Sequence, residues 1–149
     1  MVGTQYVVFS INDQVFGIEI FKIKEVLSYR TITPLPRSTD FIKGIINLRG
    51  AIIPVFDLRE KFSLSPQEYS PYHVIMVVEI AGRVMGIIVD EVSDVVDIYP
   101  QELQATENLP PNISKEYLKG VGKKDDELII LLDIDHLLSQ KEIELADST

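Results

Sequence analysis

The 149-residue chain has no cysteine and no tryptophan. The first absence removes disulfides, thiolate nucleophiles and sulfur-ligated zinc together, and suits a reducing compartment. The second weighs against an aromatic-lined groove for proline-rich peptides. Basic residues are scarce, 14 against 23 acidic ones for a formal charge of −9, so no positive stripe is available to track a phosphate backbone and nucleic acid is excluded as a partner. The opening MVGTQYVVFS lacks the basic start and apolar core of a signal peptide. No apolar run reaches the roughly 18 residues of a spanning helix, so the expectation is a cytoplasmic protein without direct membrane insertion. The Asn112-Ile113-Ser114 glycosylation pattern then carries no meaning.

Catalytic constellations are also missing. Two histidines, His73 and His136, have no partner His at i+4 and no carboxylate cage of metal-binding spacing, so both read as end-of-element residues and no metal or other cofactor is expected. Gly120-Val121-Gly122-Lys123 has too few residues between its glycines for a phosphate loop and is followed by Lys124 rather than Ser or Thr. The acids Asp90, Glu91, Asp94 and Asp97 alternate with valines and read as a solvated face.

What is present is aliphatic. Hydrophobic residues make up 46% of the chain and are rich in Ile and Val, which favour strands. The sequence also repeats itself. YVVFSINDQVFGIEIFKIKEVL from Tyr6 lies over IMVVEIAGRVMGIIVDEVSDVV from Ile75 at a shift of 69, and FIKGIINLRGAIIPVFDLREKF from Phe41 lies over YLKGVGKKDDELIILLDIDHLL from Tyr117 at a shift of 76. The seven extra residues fall in the stretch that includes QATENLPPN. The single domain thus divides into halves at about 5–62 and 73–139, with the Ser/Pro-rich connector 63–72 between them.

Each half reads as an opening hairpin, a connection, a closing hairpin and a helical turn. The opening turns fall at Asn12-Asp13-Gln14 and Ala81-Gly82-Arg83, the closing ones at Arg49-Gly50 and Lys124-Asp125-Asp126. Asp57 and Asp133 stand where they can cap the terminal turns. About five short strands per half suit a small barrel, and two such barrels packed together is the expected mainly β architecture; periodicity leaves open whether a strand of one half completes the other. The second half has Asp125 where the first has Arg49, so the fold does not require a guanidinium at that turn.

GIEIFKIKEVLSY (17–29), ITPLPRSTDFIKGIINLRGAIIPVFDLREKF (32–62), GIIVDEVSDVVDI (86–98) and YLKGVG with LIILLDIDHLL (117–138) closely resemble the CheW family of chemotaxis coupling proteins, over about Gln5 to Leu138. The resemblance implies two packed SH3-like five-stranded barrels, no catalytic activity, and an adaptor that links the signalling tips of methyl-accepting chemoreceptors to the regulatory domain of the histidine kinase CheA in membrane-associated arrays. It implies a receptor site at Arg49, supported by Asn47 and Gly50, with Ile23, Glu25 and Gly44 at further coupling positions. Gly44 is repeated at Gly120 and Ile23 at Val92, so backbone and core roles compete with contact roles there. For the kinase face, exposed aliphatics in VIMVV (74–78) and AII (51–53) point to Ile52, Val74 and Ile75, against the alternative of a strand buried on both faces. Competing readings are an SH3-type peptide module and a small hydrolase using Asp57/Arg59 or Asp133/Asp135.

Overall fold

The computed structural model describes residues 2–34, 42–104 and 114–139. The QATENLPPN stretch beyond Gln104, the Asn112-Ile113 part of the acceptor pattern and Phe41 lie outside the described residues. The alternating and continuous Ile/Val runs form strands β1 (Thr4–Ile11), β2 (Gln14–Glu19), β3 (Ile23–Ser28), β4 (Ile42–Leu48), β5 (Ala51–Asp57), β6 (Val74–Ile80), β7 (Arg83–Val89), β8 (Glu91–Ile98), β9 (Leu103–Gln104), β10 (Leu118–Lys124) and β11 (Glu127–Leu132). A one-turn helix, α1 (Leu58–Lys61), follows β5, and a 3-10 turn, Ile134–His136, follows β11.

Among the described residues four hairpins turn on two residues each. Asn12 and Asp13 (φ 49° and 67°), Arg49 and Gly50 (52° and 90°), Ala81 and Gly82 (51° and 83°), and Asp125 and Asp126 (50° and 66°) all take positive φ, the type I′ pattern that matches strand twist. Gln14, Arg83 and Lys124 therefore belong to strands rather than turns.

The strands form a six-stranded sheet in the order β8-β1-β2-β11-β10-β9 and a five-stranded sheet in the order β3-β6-β7-β5-β4. The extra strand is the two-residue β9, which pairs with β10 at Val121 and Gly122. The two units do not coincide with the two halves of the sequence. Opening hairpin β1–β2 joins strands of the second half through a parallel contact of β2 with β11, and β6–β7 joins strands of the first half through a parallel contact of β7 with β5. Hydrophobic periodicity reports which face of a strand is apolar and not which strand lies beside it, so this exchange was open in the sequence.

Alternate residues of the central strands face two different interiors. Ile75, Val77, Ile88 and Val55 fill the five-stranded unit with Ile46, Leu48 and Ile53. Met76, Val78, Ile87 and Phe56 point the other way, into a core shared with Phe9, Phe16, Ile18 and Leu132 of the six-stranded sheet. Phe16 stacks between Phe9 and Phe62 at centroid distances of 5.7 and 5.3 Å. A third cluster of Tyr6, Val8, Ile98, Ile129 and Leu131 fills the six-stranded unit. A strand covered on both faces has no polar position to alternate with, which accounts for the unbroken run VIMVV.

Candidate functional site

Arg49 occupies the first turn position between β4 and β5 in left-handed backbone conformation. Asn, Asp and Gly are the usual residues there, and the second half complies with Asp125. The turn is completed by Asn47, whose Oδ1 accepts the Gly50 N–H at 2.9 Å, and the Asn47 carbonyl accepts from Arg30 at 3.4 Å. The Arg49 side chain is 70% exposed. It reaches back to β3, where one guanidinium nitrogen donates to Glu25 Oε1 at 3.0 Å and the other donates to Oε2. This fork holds the Glu25 carboxyl below its ordinary range and raises Arg49. Ile52, opposite Asn47 across the hairpin, is half exposed beside the turn.

The remaining residues expected at the site divide by burial. Gly44 sits at a register shift of β4 with φ 150°. A Cβ there would lie 2.1 Å from the Thr33 carbonyl oxygen, because Thr33 and Ile45 exchange backbone hydrogen bonds at 2.9 Å in both directions. Its role in the structure is close backbone approach. Ile23 is half-buried against the shared core, as is its repeat partner Val92. For the kinase face, Ile75 is a correction: it is fully enclosed inside the five-stranded unit, and Val74 is half-buried against the shared core. Both belong to a strand with two apolar faces. Ile52 alone of the three stands at the surface.

A buried polar cluster escaped the sequence reading. Arg59, 2% exposed, donates through Nη1 to both oxygens of Asp57 at 3.1 and 3.0 Å, through Nε to Asn12 Oδ1 at 2.9 Å, and through Nη2 to Asp90. Asp57 also accepts the Arg59 backbone N–H at 2.9 Å and the Tyr69 hydroxyl at 2.6 Å. That hydroxyl is pushed up by burial first and then by the carboxylate it faces. Asp90 is therefore no member of a solvated face, whereas Glu91, Asp94 and Asp97 are exposed. His73 is half-buried, with Nε2 3.3 Å from Asp90 and Nδ1 accepting the Ser70 N–H at 3.0 Å. In the sequence Asp57 reads as a cap and Asp57/Arg59 as a candidate site of acid-pair chemistry, and that Asp-x-Arg spacing is the one local cue to the cluster.

That chemistry finds no support in the geometry. Each oxygen of Asp57 already accepts two hydrogen bonds, which leaves no lone pair to take a proton. Asp133 bonds His136 at 2.8 Å while Asp135 bonds Lys22 at 2.8 Å, so the second acid pair diverges. Among the described residues no cluster of His, Asp or Glu could hold a metal ion, and no helix is long and apolar enough to cross a membrane.

Residues 5–142 match the CheW-like domain family. The chemotaxis protein CheW of Klebsiella aerogenes is 37% identical over 147 residues, covering 99% of this chain and 89% of its own. That of Thermotoga maritima is 36% identical over 132 residues, covering 89% and 85%. The crystal structure of the scaffolding protein TtCheW from Thermoanaerobacter tengcongensis superposes with a TM-score of 0.84 at 36% identity, covering 94% of this chain and 97% of that one; the fold is thus that of two packed SH3-like barrels. The chain belongs to the CheW-like domain family of chemotaxis proteins.

Proposed function

We propose that this chain is a non-catalytic cytoplasmic adaptor that couples the signalling tips of methyl-accepting chemoreceptors to the regulatory domain of the histidine kinase CheA, and is recruited through them to membrane-associated arrays. The observation that carries the receptor half of this reading is Arg49. A turn position that favours Asn, Asp or Gly holds instead a largely exposed guanidinium, aimed by a carboxylate 24 residues away in sequence.

In this reading Glu25 keeps the planar guanidinium directed, and a carboxylate on a receptor helix engages the same group. Arginine suits the task because it is weakly hydrated and can bridge two acids at once. On a chain of net charge −9 a local cation also supplies the complementarity that the overall field lacks. Asn47 and Gly50 act by fixing the turn. Ile52, apolar and exposed beside it, is the aliphatic that remains available for the kinase.

The test is titration calorimetry of the wild type and Arg49→Glu against a CheA regulatory domain and a receptor-tip fragment. Wild-type binding to both partners, with selective loss of the receptor in the variant, is expected. A folded wild type that binds neither partner refutes the adaptor reading.

A further inference from the structure

The internal repeat lays Phe21 over Asp90 and Arg59 over Asp135. These positions surround the two points, among the described residues, at which the chain crosses between sheets: Ile20–Lys22, between β2 and β3, and Asp90, between β7 and β8. Because β5 runs parallel to β7 with Asp57 opposite Ile88, the turn after β5 carries Arg59 to the second crossing, where it pairs with Asp90. Because β11 runs parallel to β2 with Leu131 opposite Gly17, the turn after β11 carries Asp135 to the first crossing, 2.8 Å from Lys22. An opening-hairpin turn completes each site: the Asn12 N–H donates to Asp90 at 2.7 Å, and the Ala81 N–H donates to Asp135 at 3.1 Å. The two sites share one construction with opposite polarity. After β5 the closing turn is the cation and the crossing the acid; after β11 the closing turn is the acid and the crossing the cation.

A duplicated chain has a competing assembly in which each opening hairpin stays with its own half, β2 beside β5 and β7 beside β11. Strand faces reject it poorly, since the repeat matches Val8 with Val77, Gly17 with Gly86 and Ile53 with Ile129. The charges do reject it. In the same register, Arg59 would arrive at the Lys22 crossing and Asp135 at the Asp90 crossing, placing cation on cation and acid on acid. We infer that the two polarity-reversed ion-pair sites select the exchanged pairing of the hairpins, by attraction within it and by repulsion in the unexchanged alternative. Attraction alone would not need opposite polarities at the two sites; discrimination does.

A variant separates these two contributions. Lys22→Glu with Asp135→Lys keeps an ion pair at both native sites, yet it also makes both pairs of the unexchanged assembly attractive. Lys22→Gln with Asp135→Asn removes the second native pair and both repulsions without adding any attraction. Each full-length protein is refolded from urea and scored by NMR for the strand contact Gly17–Leu131, which is native, against Gly17–Val55, which reports the unexchanged pairing. The wild type is expected to show only the native contact. The reversed pair is expected to put about one molecule in ten into the second set, and the neutral pair fewer. A reversed pair that refolds to the native contact alone, or a neutral pair that shows as much of the second set as the reversed pair, overturns the inference. Should the reversed pair give no folded protein, the neutral pair decides: absence of Gly17–Val55 there overturns it equally.

Discussion

Arg49 and Glu25 bind one another through both terminal guanidinium nitrogens and both carboxylate oxygens, so the cation on the β4–β5 turn is already engaged when the protein is alone. The pair ties the turn of one hairpin to strand β3 across 24 residues of sequence. Both side chains keep open faces, 70% and 29% exposed, so a second acid can approach without displacing the first. Exposed pairs of this kind add little to folding, since solvent and salt screen them.

Replacement of Arg49 therefore separates binding from stability. Arg49→Gly places at φ 52° a residue with no steric objection to that conformation, and its melting temperature should lie within about 2 °C of the wild type. Arg49→Glu sets a carboxylate against Glu25 and should weaken binding of a receptor-tip fragment roughly tenfold or more. Calorimetry and thermal melts check both. A drop in melting temperature as large as that of a core truncation would make Arg49 a structural residue.

The repeated glycines give a second contrast. Gly44→Ala drives a methyl group to 2.1 Å from the Thr33 carbonyl oxygen at φ 150°, and should cost about 2–4 kcal/mol by urea denaturation. At Gly120, with φ 154°, the nearest atom to an added Cβ is Leu103 Cδ2 at 3.7 Å; only the backbone term remains and about 1 kcal/mol is expected. Equal losses at the two sites would show that the Thr33 bridge is not what constrains Gly44.

Arg59 is the buried cation on which two carboxylates depend. Arg59→Met retains the volume and removes the charge, leaving Asp57 enclosed without a counter-ion, and a loss of about 3–5 kcal/mol is expected in urea. The Ser65 backbone carbonyl enters the same cluster by accepting from Asn12 Nδ2 at 2.7 Å, so connector and core should loosen together; hydrogen exchange that rises at Asn12 and Asp90 but not across β10 would localise the effect. A variant as stable as the wild type would mean that the cluster shapes the fold without stabilising it.

Features written locally were legible in the sequence. The repeat, and the four turns to within a residue, follow from residues that are neighbours in the chain or matched across the halves; the crowding at Gly44 does not, because Thr33 supplies it and the matched Gly120 lacks it. Features set by partner choice were not. The unbroken run around Ile75 fits both an exposed aliphatic and a strand buried on both faces, and only the placing of β6 between two interiors decides for the second. Glu25 was placed at the site by resemblance, while its fork with Arg49 depends on the separation of β3 and the β4–β5 turn in space. Asp90 looked like one of four solvated acids until the exchange of hairpins brought Arg59 beside it.

The crossing at Lys22 also sets an expectation for pH. Hydrogen bonding to Lys22 is the largest cause holding Asp135 below its ordinary 3.8, ahead of the opposing cost of burial and the further help of the Ala81 N–H. A carboxyl whose folded value is depressed contributes stability above its unfolded value, and that contribution is lost as pH falls through the folded one. Lys22, raised above its ordinary 10.5 chiefly by the same hydrogen bond, contributes fully below that value and loses its share only as pH climbs past the folded one. The pair is thus constant across neutral pH and fails at both ends. The urea midpoints of the wild type and Asp135→Asn should differ by a fixed interval near pH 7, converge as pH drops below 3.8, and lie closer together near pH 7 in about 1 M salt, where a Debye length of roughly 3 Å weakens a partly exposed pair. An interval that persists unchanged in strong acid would show that the asparagine acts through lost packing or the Ala81 contact, and that the ion pair itself carries none of the difference.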